Sequence, residues 1–128
     1  MAEFDQTVLD AAAREREVKL TTWGRVSGQP SRVIIWIWGD GHHLYIRSGG
    51  GMSRDWPRNL LARGQGILHL AGRDIPVRAR HVVDPAEART GATWINQKYG
   101  ASMQSSREGE PPTPAEQATF ELTPADAS

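Results

Sequence analysis

The sequence has no cysteine among its 128 residues and no excess of charge of either sign. Without cysteine, the protein has no disulfide, no thiolate nucleophile, no cysteine-ligated zinc site and no iron–sulfur cluster. Its 15 lysines and arginines balance 15 aspartates and glutamates, whereas a general nucleic-acid-binding protein is usually clearly basic. We therefore expect no nucleic-acid partner.

Long apolar runs are lacking as well. None approaches the ~20 residues that a membrane-spanning helix needs, and the first residues, MAEFDQTVLDAAARERE, lack the apolar core of a secretory signal. The sequence therefore predicts a cytoplasmic protein with no integral membrane segment. Its length predicts one domain, residues 1–128, built around a single core.

Tryptophan, by contrast, is frequent. The chain has five tryptophans against two tyrosines and two phenylalanines: Trp23, Trp36, Trp38, Trp56 and Trp94. Large aromatic side chains fill cores, but they also line pockets for flat ligands and subunit interfaces. We expect at least one tryptophan to serve a pocket or an interface, and a homodimer formed through the tryptophan-rich strand is one possibility.

The pattern of apolar runs and turn residues predicts mostly strands. Strands are predicted over residues 18–23, 32–38, 44–47, 66–71, 75–83 and 118–122, helices over roughly 4–17, 55–63 and 85–99, and a polar loop over roughly 101–114. Residues 32–38 are almost continuously apolar, so this strand is expected to be buried on both faces. Hairpin connections and few intervening helices predict a mainly β fold, a six-stranded antiparallel barrel with flanking helices.

The third helix carries clear boundary signals. Asp84 is the expected N-cap, Pro85 takes the first helical position and Glu87 is placed to complete a capping box. Gly100 is the expected stop.

The segment SGGGMSRDWPRNLLARG, residues 48–64, is the strongest indication of a ligand site. Its glycines allow close approach of a ligand to the backbone, and the start of the following helix offers free N–H groups and a partial positive charge. Side-chain donors and the flat Trp56 add to this, which suits a phosphate-bearing ligand with an aromatic ring. The alternative is an ordinary glycine turn followed by a capped helix. The spacing matches neither the dinucleotide fingerprint nor the Walker loop.

A second segment, GRVSGQPSR at residues 24–32, is also rich in glycine, serine and arginine. If it meets the start of the short helix, its arginines join Arg54 and Arg58 in an anion pocket. The alternative is that these arginines form only a solvated surface.

Other chemistry has weaker support in the sequence. His42 and His43 fall beside a hairpin turn, and His69 and His81 fall on adjacent predicted strands, where they are able to face each other. No third ligand is evident, so no metal site is expected. There is no nucleophile elbow and no readable pair of acids. A protein of this kind usually takes its chemistry from a cofactor.

The order of these motifs resembles the deazaflavin-dependent nitroreductase and quinone reductase family, which has a flavin-binding split β-barrel fold. The matching segments are the G-R-x-S-G-x-P turn at residues 24–30, the Ser-x-Gly-Gly loop at 48–51 and the W-x-x-N-L-x-A helix at 56–62. Two departures are Val26, where many relatives have lysine, and Pro57, where many have an aromatic residue.

The resemblance implies that coenzyme F-420 (8-hydroxy-5-deazaflavin), or alternatively FMN, binds in a groove of the barrel. The residues implied for the cofactor are Arg25, Val26, Ser27, Ser31, Arg32, Val33, Ile34, Ile35, Trp36, Arg47, Ser48, Gly49, Asp55, Trp56, Arg58 and Asn59. Tyr99 and Ser102 are the expected substrate neighbours, and no catalytic side chain is assigned. The implied activity is hydride transfer to a small-molecule electron acceptor, a quinone or a nitro compound. The alternatives are an FMN-dependent reductase and a non-catalytic carrier of a cofactor or apolar ligand.

Overall fold

The structure, a computed structural model, describes residues 4–100 and 105–125. The helices are α1 (Gln6–Arg14), α2 (Asp55–Arg63), α3 (Pro85–Tyr99) and α4 (Pro114–Gln117), and Gly51–Ser53 form one 3₁₀ turn. The strands are β1 (Val18–Trp23), β2 (Pro30–Gly39), β3 (Leu44–Arg47), β4 (Gln65–Leu70), β5 (Arg73–His81) and β6 (Thr119–Pro124).

The six strands form a closed barrel in the order β1-β2-β3-β6-β5-β4. Every neighbouring pair is antiparallel, and the barrel closes where β4 pairs with β1, with Leu20 opposite Leu68. The mainly β architecture predicted from the sequence, a six-stranded antiparallel barrel with flanking helices, is confirmed.

The expectation that β2 is buried on both faces is wrong. Ile35 and Ile37 are buried in the barrel core, but Ile34 between them is 59% exposed. Successive side chains of a barrel strand point alternately inwards and outwards, so only every second residue reaches the core. The outward positions are covered only in part, since Trp38 is buried while Trp36 is half-buried. The apolar outer face of β2 therefore forms one wall of a groove.

Helices α1 and α2 pack against opposite ends of the barrel. Lys98 of α3 donates to the carbonyl oxygen of Ala12 in α1 and to that of Ile37, near the end of β2. Helix α1 therefore lies at this end of the barrel. Leu60 of α2 packs near Gly66, the first inward position of β4 at the other end.

Helix α1 is shorter than predicted because Glu15 already has extended backbone angles. Helix α2 ends at Gly64, as expected, with a left-handed φ of 75°.

The signals for α3 are confirmed except for one. Asp84 caps the helix by accepting a hydrogen bond from the Ala86 N–H, Pro85 opens it, and Gly100 ends it in the left-handed conformation. Glu87 does not complete a capping box, because its carboxylate binds Arg80 and accepts from the Tyr45 hydroxyl. Neighbouring strands thus supply stronger partners than the helix end does.

Two short elements were not predicted. The 3₁₀ turn at Gly51–Ser53 begins at the last residue of the glycine loop, residues 48–51, and α4 begins at Pro114, at the end of the expected polar loop. Thr113 and Glu116 form the capping box of α4. Within the described ranges, no helix is long and apolar enough to cross a membrane.

Candidate functional site

A groove of about 770 Å³ lies between β2 and the glycine loop. Its lining comprises Arg32, Val33, Ile34, Ile35, Trp36, Arg47, Ser48, Gly49, Gly50, Arg54 and Trp56. Most of the residues expected from the sequence to bind a cofactor are therefore brought to one place. The groove has an apolar wall from β2 and cationic side chains at Arg32 and Arg54, so it suits a flat anionic ligand.

A second cavity of about 390 Å³ adjoins the groove at the start of α2. The two share Val33, Arg54 and Trp56, so together they form one elongated site. The second cavity is also lined by Thr22, Ser31, Ser53, Asp55 and Asn59. The wide end is thus apolar and aromatic, and the narrow end is rich in hydrogen-bond donors.

The two predicted binding segments do meet. The side-chain oxygen of Asn59 accepts hydrogen bonds from the Arg25 backbone N–H at 3.1 Å and from its guanidinium at 2.7 Å. Arg25 also lies 3.6 Å from the carboxylate of Asp55, and it lines a smaller cavity of about 230 Å³ beyond Asn59. Asn59 therefore fastens the arginine-containing turn to α2.

At the wide end, the floor of the groove is formed by Gly49 and Trp36. A Cβ added to Gly49 would lie 3.9 Å from the indole, so the glycine leaves the space above the ring edge open. Tyr99 of α3 stacks on Trp36 with ring centroids 6.0 Å apart and an interplanar angle of 26°. Trp36 is thus held between the helix and the groove, as a rigid apolar surface.

Tyr99, the expected substrate neighbour, uses its hydroxyl within the protein. The hydroxyl accepts from the Ile37 N–H at 3.1 Å and lies 3.3 Å from the Ile37 carbonyl oxygen. Burial raises the pKa of Tyr99 above its ordinary value, which keeps the hydroxyl protonated. Ser102, the other expected substrate neighbour, lies outside the described residues.

Arg47 directs its guanidinium into the protein. It is 1% exposed, donates to the Thr119 hydroxyl at 2.8 Å and to the Ala88 carbonyl, and lies over the Trp38 ring. Burial lowers the pKa of Arg47 to about 10, and the Glu116 carboxylate acts in the opposite direction. A cation buried in this way anchors the end of β3 beside the groove.

Glu116 ties the segment before α4 to this region. Its carboxylate accepts from the Ser105 and Ser106 hydroxyls and from the Ser106 and Thr113 backbone N–H groups. Burial alone would raise the pKa of Glu116, but these hydrogen bonds outweigh it and hold the pKa below its ordinary value. Pro114, in the same short helix as Glu116, packs closely against Gly51, because a Cβ added to Gly51 would lie 3.0–3.3 Å from atoms of Pro114. The segment that Glu116 holds in place is therefore in contact with the glycine loop.

Thr22 is a site residue that the sequence analysis missed. It lines the narrow cavity, is 1% exposed, and its hydroxyl has no hydrogen-bond partner among residues 4–100 and 105–125. The available signal was the period of β1, because Val18 and Leu20 are the preceding inward positions and Thr22 is polar.

Three of the residues implied for the cofactor line none of these three cavities. Val26 is 95% exposed at the tip of its turn, Ser27 accepts from the Gln29 N–H, and Arg58 is exposed on α2.

His69 and His81, on the adjacent strands β4 and β5, do not face each other. In the β4–β5 register His69 lies opposite Asp74, which it contacts at 2.7 Å, while its other ring nitrogen lies 2.7 Å from the Thr21 hydroxyl. His81 instead contacts the Gln117 carbonyl oxygen. In the part of the chain that the structure describes, no three histidine or acidic side chains are grouped to hold a metal ion.

A family model matches most of the chain. Residues 8–122 match the family DUF2255, described as an uncharacterized protein conserved in bacteria. A search among curated proteins finds no significant match.

Solved structures with a similar fold include an F420 reductase, with a TM-score of 0.61 and 17% identity over 96% of this chain and 97% of that one. A second is described as a 5-nitroimidazole antibiotic resistance protein from Bacteroides thetaiotaomicron VPI-5482, with a TM-score of 0.65 and 14% identity over 98% and 82% of the two chains. The split-barrel fold expected from the resemblance to deazaflavin-dependent reductases is therefore confirmed. The chain belongs to the DUF2255 family.

Proposed function

We propose that this protein is an oxidoreductase that uses reduced deazaflavin, coenzyme F-420, to reduce a small organic acceptor such as a quinone or a nitro compound. The observation that carries the proposal is the elongated site described above, with an aromatic, glycine-lined wide end and a narrow end rich in donors. An F420 reductase shares the fold, which supports the same assignment.

The wide end fits a flat ring. Ile34 and Trp36 give it an apolar wall. Gly49 has no side chain, so the position 3.9 Å from the Trp36 ring that a Cβ would fill is open. A ring lying there would bury its own apolar surface against β2 and meet the backbone of the Ser48–Gly49 loop. These contacts hold the ring in one orientation, which is the main contribution such a site makes to cofactor chemistry.

The narrow end fits the phosphate-bearing tail. Arg54 and Ser31 supply donors around the start of α2, where the helix dipole adds a partial positive charge. Arg32 adds a cation at the wide end. The site therefore matches a ligand with one aromatic end and one anionic end.

The chemistry follows from the donor set. A bound reduced deazaflavin supplies a hydride, and the protein residues orient the ring and the acceptor. Among the described residues that line the wide end, there is no aspartate, glutamate, histidine, lysine or tyrosine. No side chain of these types is therefore placed there to supply the proton that a quinone needs to become a hydroquinol, and the open groove admits solvent water.

Titration of the purified protein with deazaflavin and with FMN, followed by tryptophan fluorescence, tests the proposal. Stacking near Trp36 and Trp56 is expected to quench emission, and Arg54→Ala is expected to weaken binding about tenfold through loss of a charge-assisted hydrogen bond. Arg58→Ala is the matched control, since this arginine lies on the same helix but lines none of the three cavities. Quenching by neither compound would refute both cofactor assignments.

The acceptor step separates the remaining alternatives. Menadione or a nitroimidazole is added to reduced deazaflavin with and without the protein, and oxidation of the deazaflavin is followed by absorbance. Oxidation that depends on the protein supports the reductase. Tight deazaflavin binding without turnover would instead favour a carrier. Quenching by FMN alone would favour an FMN-dependent reductase of the same fold.

A further inference from the structure

Thr22 carries a polar group that the folded protein itself does not use. Its hydroxyl is buried and has no hydrogen-bond partner in the described part of the chain, and the residue lines the narrow cavity. An unsatisfied buried hydroxyl is a net cost to folding, because water is lost and nothing replaces it. Valine has nearly the same shape without that cost. The hydroxyl is therefore better explained by a ligand than by packing.

The surroundings of Thr22 define the ligand's chemistry. Ser31 lies directly opposite Thr22 in the β1–β2 ladder, so both side chains point to the same face. Across the cavity begins α2, a nine-residue helix whose N-cap residue, Arg54, makes no capping hydrogen bond with its side chain. Hydroxyl groups, a guanidinium and free helix N–H groups converge there, and all of them donate to an oxyanion.

One acidic group lines the same cavity. Asp55 is 85% exposed at its side chain and lies 3.6 Å from Arg25. Its carboxylate is thus screened by solvent and paired with a cation outside the donor set, so it does not cancel the positive character at the start of α2.

We propose that Thr22 is a ligand-contact residue that donates its hydroxyl hydrogen to a phosphate group bound between β1, β2 and the start of α2. The inference rests on the proposed function for its physiological setting, since a phosphate here is the anionic end of the ring-bearing ligand. It also stands alone as a site for phosphate or a phosphate ester, because each of the donors belongs to the protein.

Inorganic phosphate is the first probe, with chloride at matched ionic strength as the reference and sulfate as a second oxyanion. In the wild-type protein, tens of millimolar phosphate is expected to raise Tm, since a ligand that binds only the folded state stabilises it. Thr22→Val is expected to raise the Tm of the ligand-free protein by about 3 °C. The same change is expected to weaken phosphate binding about tenfold, while Thr22→Ser restores it.

Thr21→Val is the matched control on the adjacent residue. The Thr21 hydroxyl already contacts His69, so its loss is expected to lower Tm and to leave the response to phosphate unchanged. A fall in the Tm of Thr22→Val would show that the hydroxyl is structural and would overturn the inference. So would an unchanged phosphate response in that variant, or no response in the wild type.

The experiment also separates this inference from the proposed function. A phosphate response that depends on Thr22, in a protein that neither deazaflavin nor FMN quenches, supports the phosphate site and refutes the reductase. Deazaflavin binding that is equal in the wild type and Thr22→Val supports the cofactor assignment and overturns the role of Thr22.

Discussion

The hydroxyl of Tyr99 contacts both backbone groups of Ile37, accepting from its N–H at 3.1 Å and lying 3.3 Å from its carbonyl oxygen. The reason lies in the barrel. Strand β1 pairs with β2 only as far as Ile35, so beyond that point β2 has backbone groups with no strand partner on that side. Tyr99 fills this gap, and its ring then supports Trp36 from behind.

Tyr99→Phe tests this bridge. The change leaves the ring stack intact but removes the hydroxyl from the Ile37 N–H, which is expected to cost about 1–2 kcal/mol of the free energy of unfolding. Urea unfolding measures the loss. Tyr45→Phe is the control, since the Tyr45 hydroxyl makes one long contact of 3.3 Å with Glu87, and its loss is expected to cost less. Equal losses in the two variants would contradict a special role for the Tyr99 hydroxyl.

Position 91 in α3 is occupied by glycine where the buried Arg47 side chain packs against the helix backbone. A Cβ on Gly91 would lie 2.6 Å from the guanidinium and 2.7 Å from the Trp38 ring. Both side chains are buried, so neither is free to move away. This close approach fixes the height at which α3 crosses β2.

Gly91→Ala is therefore expected to destabilise the protein, against the usual trend. In an ordinary helix interior, glycine to alanine gains up to about 1 kcal/mol from helix propensity. Overpacking of a buried site costs about 1–3 kcal/mol, so the net change here is expected to be a loss. Thr93→Ala, at an exposed position of the same helix, is the control and is expected to be nearly neutral. A rise in the Tm of Gly91→Ala would disprove the close packing.

The sequence predicted the barrel well because its signals were local. Strand bounds followed from apolar runs, and Gly64 and Gly100 marked helix ends correctly because the left-handed conformation favours glycine. The errors arose where distant residues intervene. The apolar run of β2 did not indicate that Ile34 is exposed. Glu87 does not form the expected capping box, because its carboxylate accepts from Tyr45 in β3 and Arg80 in β5.

The site was predictable only in part, for the same reason. Trp36, Gly49 and Asn59 were predicted as ligand-binding residues, and the structure places them on the lining of the two adjoining cavities. Thr22 carries no motif, because its significance comes from an unpartnered hydroxyl that only the packed barrel reveals. Tyr99 was predicted as a substrate neighbour, whereas its hydrogen bond with Ile37 was not predicted because it depends on where β1 ends.

Glu116 is expected to make the stability of the protein depend on acid pH. The pKa of its carboxyl lies below the ordinary value in the folded state, so its contribution is complete above the unfolded pKa and is lost as pH falls through the folded one. Glu116→Gln is expected to flatten the acid side of the curve of unfolding free energy against pH and to lower stability at pH 7 by about 1–3 kcal/mol. Glu110→Gln is the control, because Glu110 lies in the same segment but is exposed. An unchanged acid dependence in Glu116→Gln would contradict this assignment.

Lys98 is expected to make the stability of the protein depend on pH at the alkaline end of the range, again with stability rising as pH rises. Burial lowers its pKa from 10.5 to about 8, although its ammonium group donates to the carbonyls of Ala12 and Ile37. In this window the unfolded chain binds more protons than the folded one, so stability rises with pH above about 8, by at most about 1.4 kcal/mol per pH unit. Lys98→Met is expected to remove this rise, and Lys19→Met, at an exposed position of β1, to retain it. Urea unfolding between pH 7.5 and 9.5 measures the slope before the raised pKa values of Tyr45 and Tyr99 act against it. A slope that is the same in the wild type and in Lys98→Met would show that another group is responsible.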